Sequence, residues 1–270
     1  MNEPPPGRPW NVFATFLAAV AAILVTNALA IATLLALYPD VPETTLLQTL
    51  PALLAGVLAS SSGLLLTLLV AVRPLDPARL RLRPGWETGP ALFVMVLGLL
   101  GLGQALESAA NVLGFGDRGT LALIRQMLER TRGPDLFAAV LVIGFAAGTA
   151  EEIFFRGYMQ ARLREHWSAP AAVLATSASF ALMHADPSAV HIVLAFVLGL
   201  YLGFVAEITG STLPSVVCHV VNNVVATLQM ALGFEPVGRD AHLTTVVVGV
   251  GLMVASVVWI RRVAPRPAPG

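Results

Sequence analysis

The chain has 270 residues, of which 56% are hydrophobic and 12% are charged, and its mean hydropathy is +0.78. A soluble domain carries about 25% charged residues, so this chain has too few polar side chains to cover a water-soluble globule of its size. The composition argues against a soluble enzyme, a disordered chain and a disulfide scaffold, and it favours a polytopic membrane protein. The sixteen basic and sixteen acidic residues balance, and the absence of a concentrated basic face argues against a nucleic-acid partner.

Apolar runs along the chain predict the membrane-spanning helices. A bilayer core about 30 Å thick is crossed by a helix of about 20 mostly apolar residues. Such runs predict eight transmembrane helices, at 11–37, 51–72, 89–107, 135–161, 169–184, 189–206, 212–232 and 243–260. The predicted fold class is therefore all-α, a polytopic membrane protein whose single integral membrane domain covers 1–270. Pro-rich polar tails are expected at 1–10 and 262–270, and Asp186-Pro187-Ser188 predicts a tight turn between the fifth and sixth helices.

The distribution of arginine predicts how this bundle is oriented in the bilayer, because cytoplasmic loops are enriched in basic residues. Arginines lie before the first helix, between the second and third, after the fourth and after the eighth. We therefore expect both termini in the cytoplasm, and the complete absence of Lys indicates a bacterial cytoplasmic membrane. The segment 118–132 departs from this pattern, because it contains four arginines and is predicted to lie on the non-cytoplasmic side. Its apolar residues recur at helical spacing, which predicts an amphipathic helix on the outer membrane interface.

The fourth predicted helix contains charged residues inside an apolar run, Glu151-Glu152-Ile153-Phe154-Phe155-Arg156. A charge at mid-bilayer costs about 3 kcal/mol on insertion scales, so such residues usually face a polar cavity and have a function. Glu152 and Arg156 are four residues apart and share a helix face, where they can form an ion pair. Glu151 points about 100° away and lacks this partner. An unpaired carboxylate in a low dielectric accepts a proton more readily, which makes Glu151 the candidate general base. The alternative is a structural Glu–Arg pair beside one spare acid.

Two further helices contain polar pairs at four-residue spacing: Phe180 with His184 in the fifth, and His219 with Asn223 in the seventh. Taken alone, His184 could be a solvated helix-end histidine, and the second pair could be a packing hydrogen bond between helices. Depths counted at about 1.5 Å per residue from the cytoplasmic ends roughly align these residues with Glu151, so we expect one cavity that is open to the cytoplasm.

A carboxylate, two imidazoles and an amide around one cavity suit hydrolysis of a peptide bond. Glu151 would take a proton from water, His184 would help to hold that water, and His219 and Asn223 would donate hydrogen bonds to the oxyanion. The same side-chain types could bind zinc, although the helix with the usual His-Glu-x-x-His ligands is missing from the sequence. The sequence therefore leaves open whether the site binds zinc or uses no cofactor.

With these residues, the chain resembles the CPBP (Abi) family of intramembrane endopeptidases, which includes the CAAX prenyl endopeptidases. The three motifs of the family are Glu-Glu-x-x-x-Arg, Phe-x-x-x-His and His-x-x-x-Asn. They occur here in order, as Glu151/Glu152/Arg156, Phe180/His184 and His219/Asn223. The resemblance covers roughly 135–232, the predicted catalytic core, whereas the N-terminal half is similar only in hydropathy.

The resemblance implies eight helices around a catalytic cavity inside the membrane, and cleavage of a peptide or protein substrate. It implies that Glu151 acts as the base together with His184, and that His219 and Asn223 stabilise the oxyanion. Glu152 is predicted as a further catalytic residue, and Arg156 and Phe180 as supporting residues. The family has been described both as metalloproteases and as glutamate-dependent enzymes without a metal, so the sequence leaves the glutamic and the metallo type open.

Other sequence features suggest alternatives. Gly114-Phe115-Gly116-Asp117 matches the signature of intramembrane aspartyl proteases, but no predicted span holds the second Asp that those enzymes need. His191 lies near the start of the sixth predicted helix, where a structural role is favoured. A second hypothesis is a non-catalytic membrane scaffold or a bacteriocin-immunity-type protein of the same fold. Because all three motifs are complete, the sequence favours the enzyme.

Overall fold

The computed structural model describes residues 9–73, 75–116, 118–185 and 188–265. Within these ranges the chain is helical and contains no strand, which confirms the predicted all-α class. Asp117, Asp186, Pro187 and most of the two predicted tails lie outside the described residues. The helices are α1 (Pro9–Leu37), α2 (Glu43–Leu46), α3 (Leu50–Ala71), α4 (Gly89–Val112), α5 (Gly119–Leu128), α6 (Gly133–Leu163), α7 (Ala169–Leu182), α8 (Val190–Thr209), α9 (Leu213–Leu232) and α10 (Arg239–Val263).

Seven of the described helices are long and apolar enough to cross a membrane, namely α1, α3, α4, α6, α8, α9 and α10. The fifth predicted span is shorter than expected. It forms α7, which has 14 residues and begins with Pro170 in its first turn. At 1.5 Å per residue α7 extends about 21 Å, less than the thickness of a bilayer core. The chain is an integral membrane protein, and its described residues contain seven helices of spanning length and one short apolar helix, close to the predicted eight.

The helix α6 is not a regular α-helix throughout. Two π-helical stretches, Val140–Ala147 and Ile153–Gln160, flank the α-helical turn Gly148–Glu152 that carries both glutamates. A π-helical turn holds one residue more than an α-helical turn and is frequent at functional sites. A Cβ atom at Gly148 would lie 3.2 Å from the backbone nitrogen of Val220. The glycine therefore lets α6 approach α9 closely beside these glutamates.

Small residues and hydrogen bonds between helices hold the bundle together, as expected where lipid removes the hydrophobic driving force between spans. Thr26 of α1 donates a hydrogen bond to the carbonyl oxygen of Ala59 in α3 at 2.7 Å. Tyr201 of α8 donates to the carbonyl oxygen of Met95 in α4 at 2.8 Å. The closest packing is between α4 and α10, where Gly101 and Gly249 face each other.

The described ends of α1 and α10 lie at one end of the bundle, which we call the termini end. Tyr158 near the end of α6 hydrogen-bonds to Thr15 near the start of α1 at 3.0 Å. Arg261 near the end of α10 lies over the ring of Phe204 in α8, and its guanidinium carbon is 5.5 Å from the ring centroid. The opposite end of the bundle carries the ends of α1 and α4 and the starts of α3, α6, α8 and α10.

The connection 75–88 between α3 and α4 fills the termini end of the bundle. Thr212 donates two hydrogen bonds to it, from its backbone nitrogen to the carbonyl oxygen of Arg81 and from its hydroxyl to that of Leu80, both at 2.9 Å. The indole of Trp86 donates to the carbonyl oxygen of Ile208 at 2.7 Å. Leu80 itself is buried in the same apolar cluster as Phe155. The connection therefore packs beneath α6 and α9 instead of extending into solvent.

Substitution of Gly249 by Ala is expected to destabilise the protein by about 1–3 kcal/mol, because the added methyl group would collide with the carbonyl oxygen of Gly101. Gly251, two residues further along α10, has open space around the same position, so Gly251→Ala is the matched control. Thermal unfolding in detergent should show a lower Tm for Gly249→Ala and no decrease for Gly251→Ala. Equal Tm values for both variants would contradict the close packing of α4 on α10.

Candidate active site

A cavity of about 630 Å³ lies inside the bundle, and residues of all three motifs line it. Glu151 reaches it from α6, His184 from the end of α7, and His219 and Asn223 from α9. The ring of Phe180 also forms part of the wall. The structure thus brings together side chains that are up to 72 residues apart in the sequence, from Glu151 to Asn223.

The cavity extends away from the termini end. Its walls include Leu34 near the end of α1, Leu53 near the start of α3, and Asn111 near the end of α4. The expected opening on the same side as the termini is therefore wrong. Two features explain the difference: the connection 75–88 fills the termini end, and α7 stops at Leu182, so that space is left beyond its last turn.

The helix α5 contributes to the wall of this cavity. The amphipathic helix that we predicted within 118–132 is present as α5, and its residues Leu121, Ile124 and Leu128 line the cavity. Arg125 is tied to Glu107 of α4 by an ion pair of 2.6 Å, and it also pairs with Glu235. The apolar side of α5 thus faces the cavity, a contact that the sequence does not predict, and its place on the outer membrane interface stays a prediction.

Glu152 and Arg156 form an ion pair of 2.7 Å whose side chains are both fully buried. The same carboxylate oxygen, Oε1 of Glu152, accepts a second hydrogen bond of 2.8 Å from Nδ1 of His219. Arg156 also donates to the carbonyl oxygen of Gly199 in α8 at 3.0 Å. Glu152 does not line the cavity, so it acts on the site through His219.

Glu151 is positioned differently from its neighbour. Its side chain is 21% exposed and lines the cavity, and its Oε2 lies 3.7 Å from Nε2 of His219. The imidazole of His219 therefore lies between the two carboxylates, with Nδ1 toward Glu152 and Nε2 toward Glu151. Neighbouring residues on a helix point in different directions, which is why one glutamate is buried and the other accessible.

Phe180 is the common neighbour of the charged groups. Its ring centroid lies 4.6 Å from that of His184 and 5.8 Å from that of His219, and the guanidinium carbon of Arg156 lies 4.8 Å from it. Contacts of an aromatic ring with cations and with other rings are each worth about 0.5–2 kcal/mol. Phe180 therefore fixes the positions of both imidazoles.

The hydrogen bonds of His184 define its tautomer. Its Nδ1 lies 2.9 Å from the carbonyl oxygen of Phe180. A carbonyl oxygen can only accept a hydrogen bond, so Nδ1 carries the proton. In the neutral ring Nε2 is then the acceptor, which is the state needed to hold a water molecule by one of its hydrogens.

His191 is a neighbour of the site that we assigned a structural role from the sequence. Its ring lies 4.8 Å from that of His184 in an edge-to-face arrangement, and it lines the cavity. The signal in the sequence was its distance of seven residues from His184, across the short connection from α7 to α8. Asn223 donates a hydrogen bond to the carbonyl oxygen of Ile143 at 3.2 Å, and its neighbour Asn222 also lines the cavity.

Among the described residues, no three side chains of His, Cys, Asp or Glu converge in a way that could hold a metal ion. A catalytic zinc site typically has three protein ligands at about 2.0–2.3 Å from the metal. The described side chains do not fit such a site. Zinc and no cofactor stay the two alternatives predicted from the sequence.

Residues 133–225 match a protein-family model described as type II CAAX prenyl endopeptidase Rce1-like. All three motifs lie within the matched range, and the match confirms the resemblance that the motifs carry. It supports a protease-type enzyme in the membrane that acts on a peptide or protein substrate. No curated protein and no solved structure matches the chain.

Removal of Arg156 is expected to unfold the site, because it leaves the buried charge of Glu152 without its partner. Loss of one member of a buried ion pair costs about 3–5 kcal/mol, so Arg156→Ala should strongly lower the Tm in detergent. The control is Arg162→Ala on the same helix, since Arg162 forms a partly exposed pair with Glu165 at 2.6 Å. Its loss should cost less than about 1 kcal/mol.

A variant Arg156→Ala that unfolds like the unchanged protein, and that differs only in the position at which it cuts a substrate, would contradict the structural role of this arginine. Mass spectrometry of the cleavage products provides that measurement beside the thermal unfolding curve.

Proposed function

We propose that this protein is an intramembrane endopeptidase of the CAAX-protease type, in which Glu151 activates the water that hydrolyses a peptide bond. The observation that carries the proposal is the pair of carboxylates on opposite sides of His219. One is accessible from the cavity, and the other is buried and compensated by Arg156. Catalysis of acyl transfer by water needs a base and a hydrogen-bond donor near the same reacting carbonyl, and this arrangement supplies both.

In the proposed first step, Glu151 takes a proton from a water molecule whose oxygen attacks the carbonyl carbon of the scissile bond. Nε2 of His184 accepts a hydrogen bond from the other hydrogen of this water and so orients it. The carbonyl oxygen becomes an oxyanion in a tetrahedral intermediate. When the intermediate collapses, the bond between carbon and nitrogen breaks, and Glu151 returns its proton to the leaving amine. The products are a carboxylic acid and an amine, as hydrolysis requires.

The proposed role of His219 is to donate a hydrogen bond to the oxyanion. Its contact with Glu152 supports this role, because the carboxylate accepts the hydrogen bond of Nδ1 and fixes the ring; in the proposed step the ring carries both protons, and Nε2 donates to the oxyanion. The amide of Asn223 is the second donor, reached by a small movement from the carbonyl oxygen of Ile143. Glu152 and Arg156 are positioning residues in this scheme, since neither lines the cavity.

We also propose that the membrane is a bacterial cytoplasmic membrane and that the termini end faces the cytoplasm. Among the described residues, eight arginines lie at the termini end and five at the opposite end, a bias that is typical of cytoplasmic loops. The eight are Arg73, Arg79, Arg81, Arg83, Arg162, Arg164, Arg261 and Arg262.

Substitution of Glu151 by Gln is expected to abolish cleavage while the protein stays folded, because the amide cannot take a proton from water. Cells that produce the unchanged protein and cells that produce Glu151→Gln can be compared by sequencing the N-termini in their membrane fractions. An endopeptidase creates new N-termini that depend on Glu151, whereas the alternative scaffold or immunity protein gives the same set in both. A purified Glu151→Gln protein with full activity on a peptide identified in this way would disprove its role as the base.

Asn223→Ala is expected to lower kcat by about 10²–10³-fold with little change in KM, which is the usual cost of removing one oxyanion donor. Asn222→Ala is the matched control, since Asn222 lines the same cavity one residue away but has no part in the proposed reaction. Steady-state kinetics on one peptide substrate should separate the two variants. If both lose activity equally, the effect belongs to the shape of the cavity and the donor role of Asn223 is wrong.

A further inference from the structure

We infer that the cavity opens on the non-cytoplasmic face of the membrane, and that the substrate is a peptide segment that reaches this face after translocation. That the bound peptide is a substrate rests on the proposed function, whereas the direction of the opening does not depend on catalysis. It combines two observations that are independent of each other: which end of the bundle is filled, and where the arginines lie.

The first observation is that the cavity and the termini end are separated by packed structure. The connection 75–88 is held under the site by the hydrogen bonds from Thr212 to Leu80 and Arg81. Gly157 of α6 lies so close to this connection that a Cβ atom there would be 2.9 Å from the carbonyl oxygen of Leu80. The rings of Phe154 and Phe155 are fully buried and belong to the same apolar cluster as Leu80 of this layer. A peptide cannot reach Glu151 from this end without displacing that layer.

At the opposite end, residues that line the cavity are themselves exposed at the surface, among them Leu47, Phe115 and Leu123. The cavity there is lined by the last turns of α1 and α4, the first turns of α3, and α5. The residue Phe115 in the connection after α4 lines the cavity and is 40% exposed. Beyond α7, the lining continues through Met183 and His184 to Val190 at the start of α8. The site is therefore reached between these connections.

The second observation is the distribution of charge. We call the end of the bundle opposite to the termini end the cavity end. Its five arginines are Arg118, Arg125, Arg130, Arg132 and Arg239. Arg125 is neutralised by Glu107 and Glu235, and Arg132 donates to the carbonyl oxygen of Ala231. Among the described residues, seven acidic residues lie at this end, compared with four at the termini end. Because loops rich in basic residues are retained in the cytoplasm, the cavity end is the one that lies on the non-cytoplasmic side of the membrane.

These two observations define the class of substrate. The lining of the cavity is mainly apolar, with the polar catalytic groups at its inner end. It suits an apolar stretch of peptide whose polar flank remains outside the membrane. Such a segment is presented by a translocated peptide or by a membrane protein at its non-cytoplasmic boundary, and a peptide that stays in the cytoplasm would face the filled end.

The test uses single cysteines in the full chain and a membrane-impermeant maleimide. Cys218 is the only cysteine of the sequence and is fully buried, so the unchanged protein serves as the unlabelled background. Ala226→Cys places a thiol in the cavity wall, Thr44→Cys marks the cavity end, and Ser168→Cys marks the termini end. Each variant is produced in a bacterial cytoplasmic membrane and labelled in spheroplasts and in inside-out vesicles.

We expect Thr44→Cys and Ala226→Cys to be labelled in spheroplasts. Ser168→Cys should stay unlabelled in spheroplasts and should be labelled in inside-out vesicles. Labelling of Ala226→Cys in inside-out vesicles alone would overturn the inference, as would labelling of Ser168→Cys in spheroplasts. The same variants carrying Glu151→Gln should give the same pattern, because labelling requires no catalysis. A failed proteolysis assay with this pattern intact would therefore disprove the proposed function and leave the direction of the opening established.

Discussion

The buried ion pair between Glu152 and Arg156 is the interaction on which the site depends. Two charges in the interior of a membrane protein are stable only if each compensates the other, because an unpaired buried charge is costly. Arg156 also bonds to the backbone of Gly199 in α8 and lies over Phe180 of α7, and Glu152 accepts a hydrogen bond from His219 of α9. A single pair on α6 therefore links four helices. The positions of both imidazoles follow from it, because Phe180 contacts each of them.

The pair also gives two adjacent glutamates different environments. Both belong to the short α-helical turn between the two π-helical stretches of α6, and consecutive side chains on such a turn diverge. Glu152 is directed into the protein toward Arg156, and Glu151 is left at the cavity wall beside Nε2 of His219. The histidine thus connects a buried carboxylate that is paired with Arg156 to one that is accessible from the cavity. Contacts within the bundle are therefore enough to make one of these glutamates a positioning group and the other the proposed reactive group.

Much of this arrangement can be read from local spacing, and the rest depends on contacts that are distant in the sequence. The four-residue spacing of Glu152 and Arg156 predicts their ion pair, and the apolar runs predict most of the helices. The contact between Glu152 and His219 spans 67 residues, so no periodicity reveals it. The direction of the cavity depends on the folding of the connection 75–88 onto Thr212, 132 residues from Leu80. Depths counted along single helices cannot include such a contact, which is why they align the motifs and still give the wrong opening.

The helix α5 illustrates the same limit in a different form. An apolar stripe at helical spacing shows that one face of a helix avoids water, but lipid and protein satisfy that stripe equally well. In this protein Leu121, Ile124 and Leu128 face the cavity, and Arg125 holds the helix there through Glu107 and Glu235. The short length of α7 creates the space that α5 helps to enclose. Because both features lie at the same end of the bundle, the wall near the opening is apolar except for polar groups such as Glu107, Arg118 and Arg125, and the polar groups of α6 and α9 lie at the inner end. That order places an apolar peptide segment in contact with the wall before its backbone reaches Glu151.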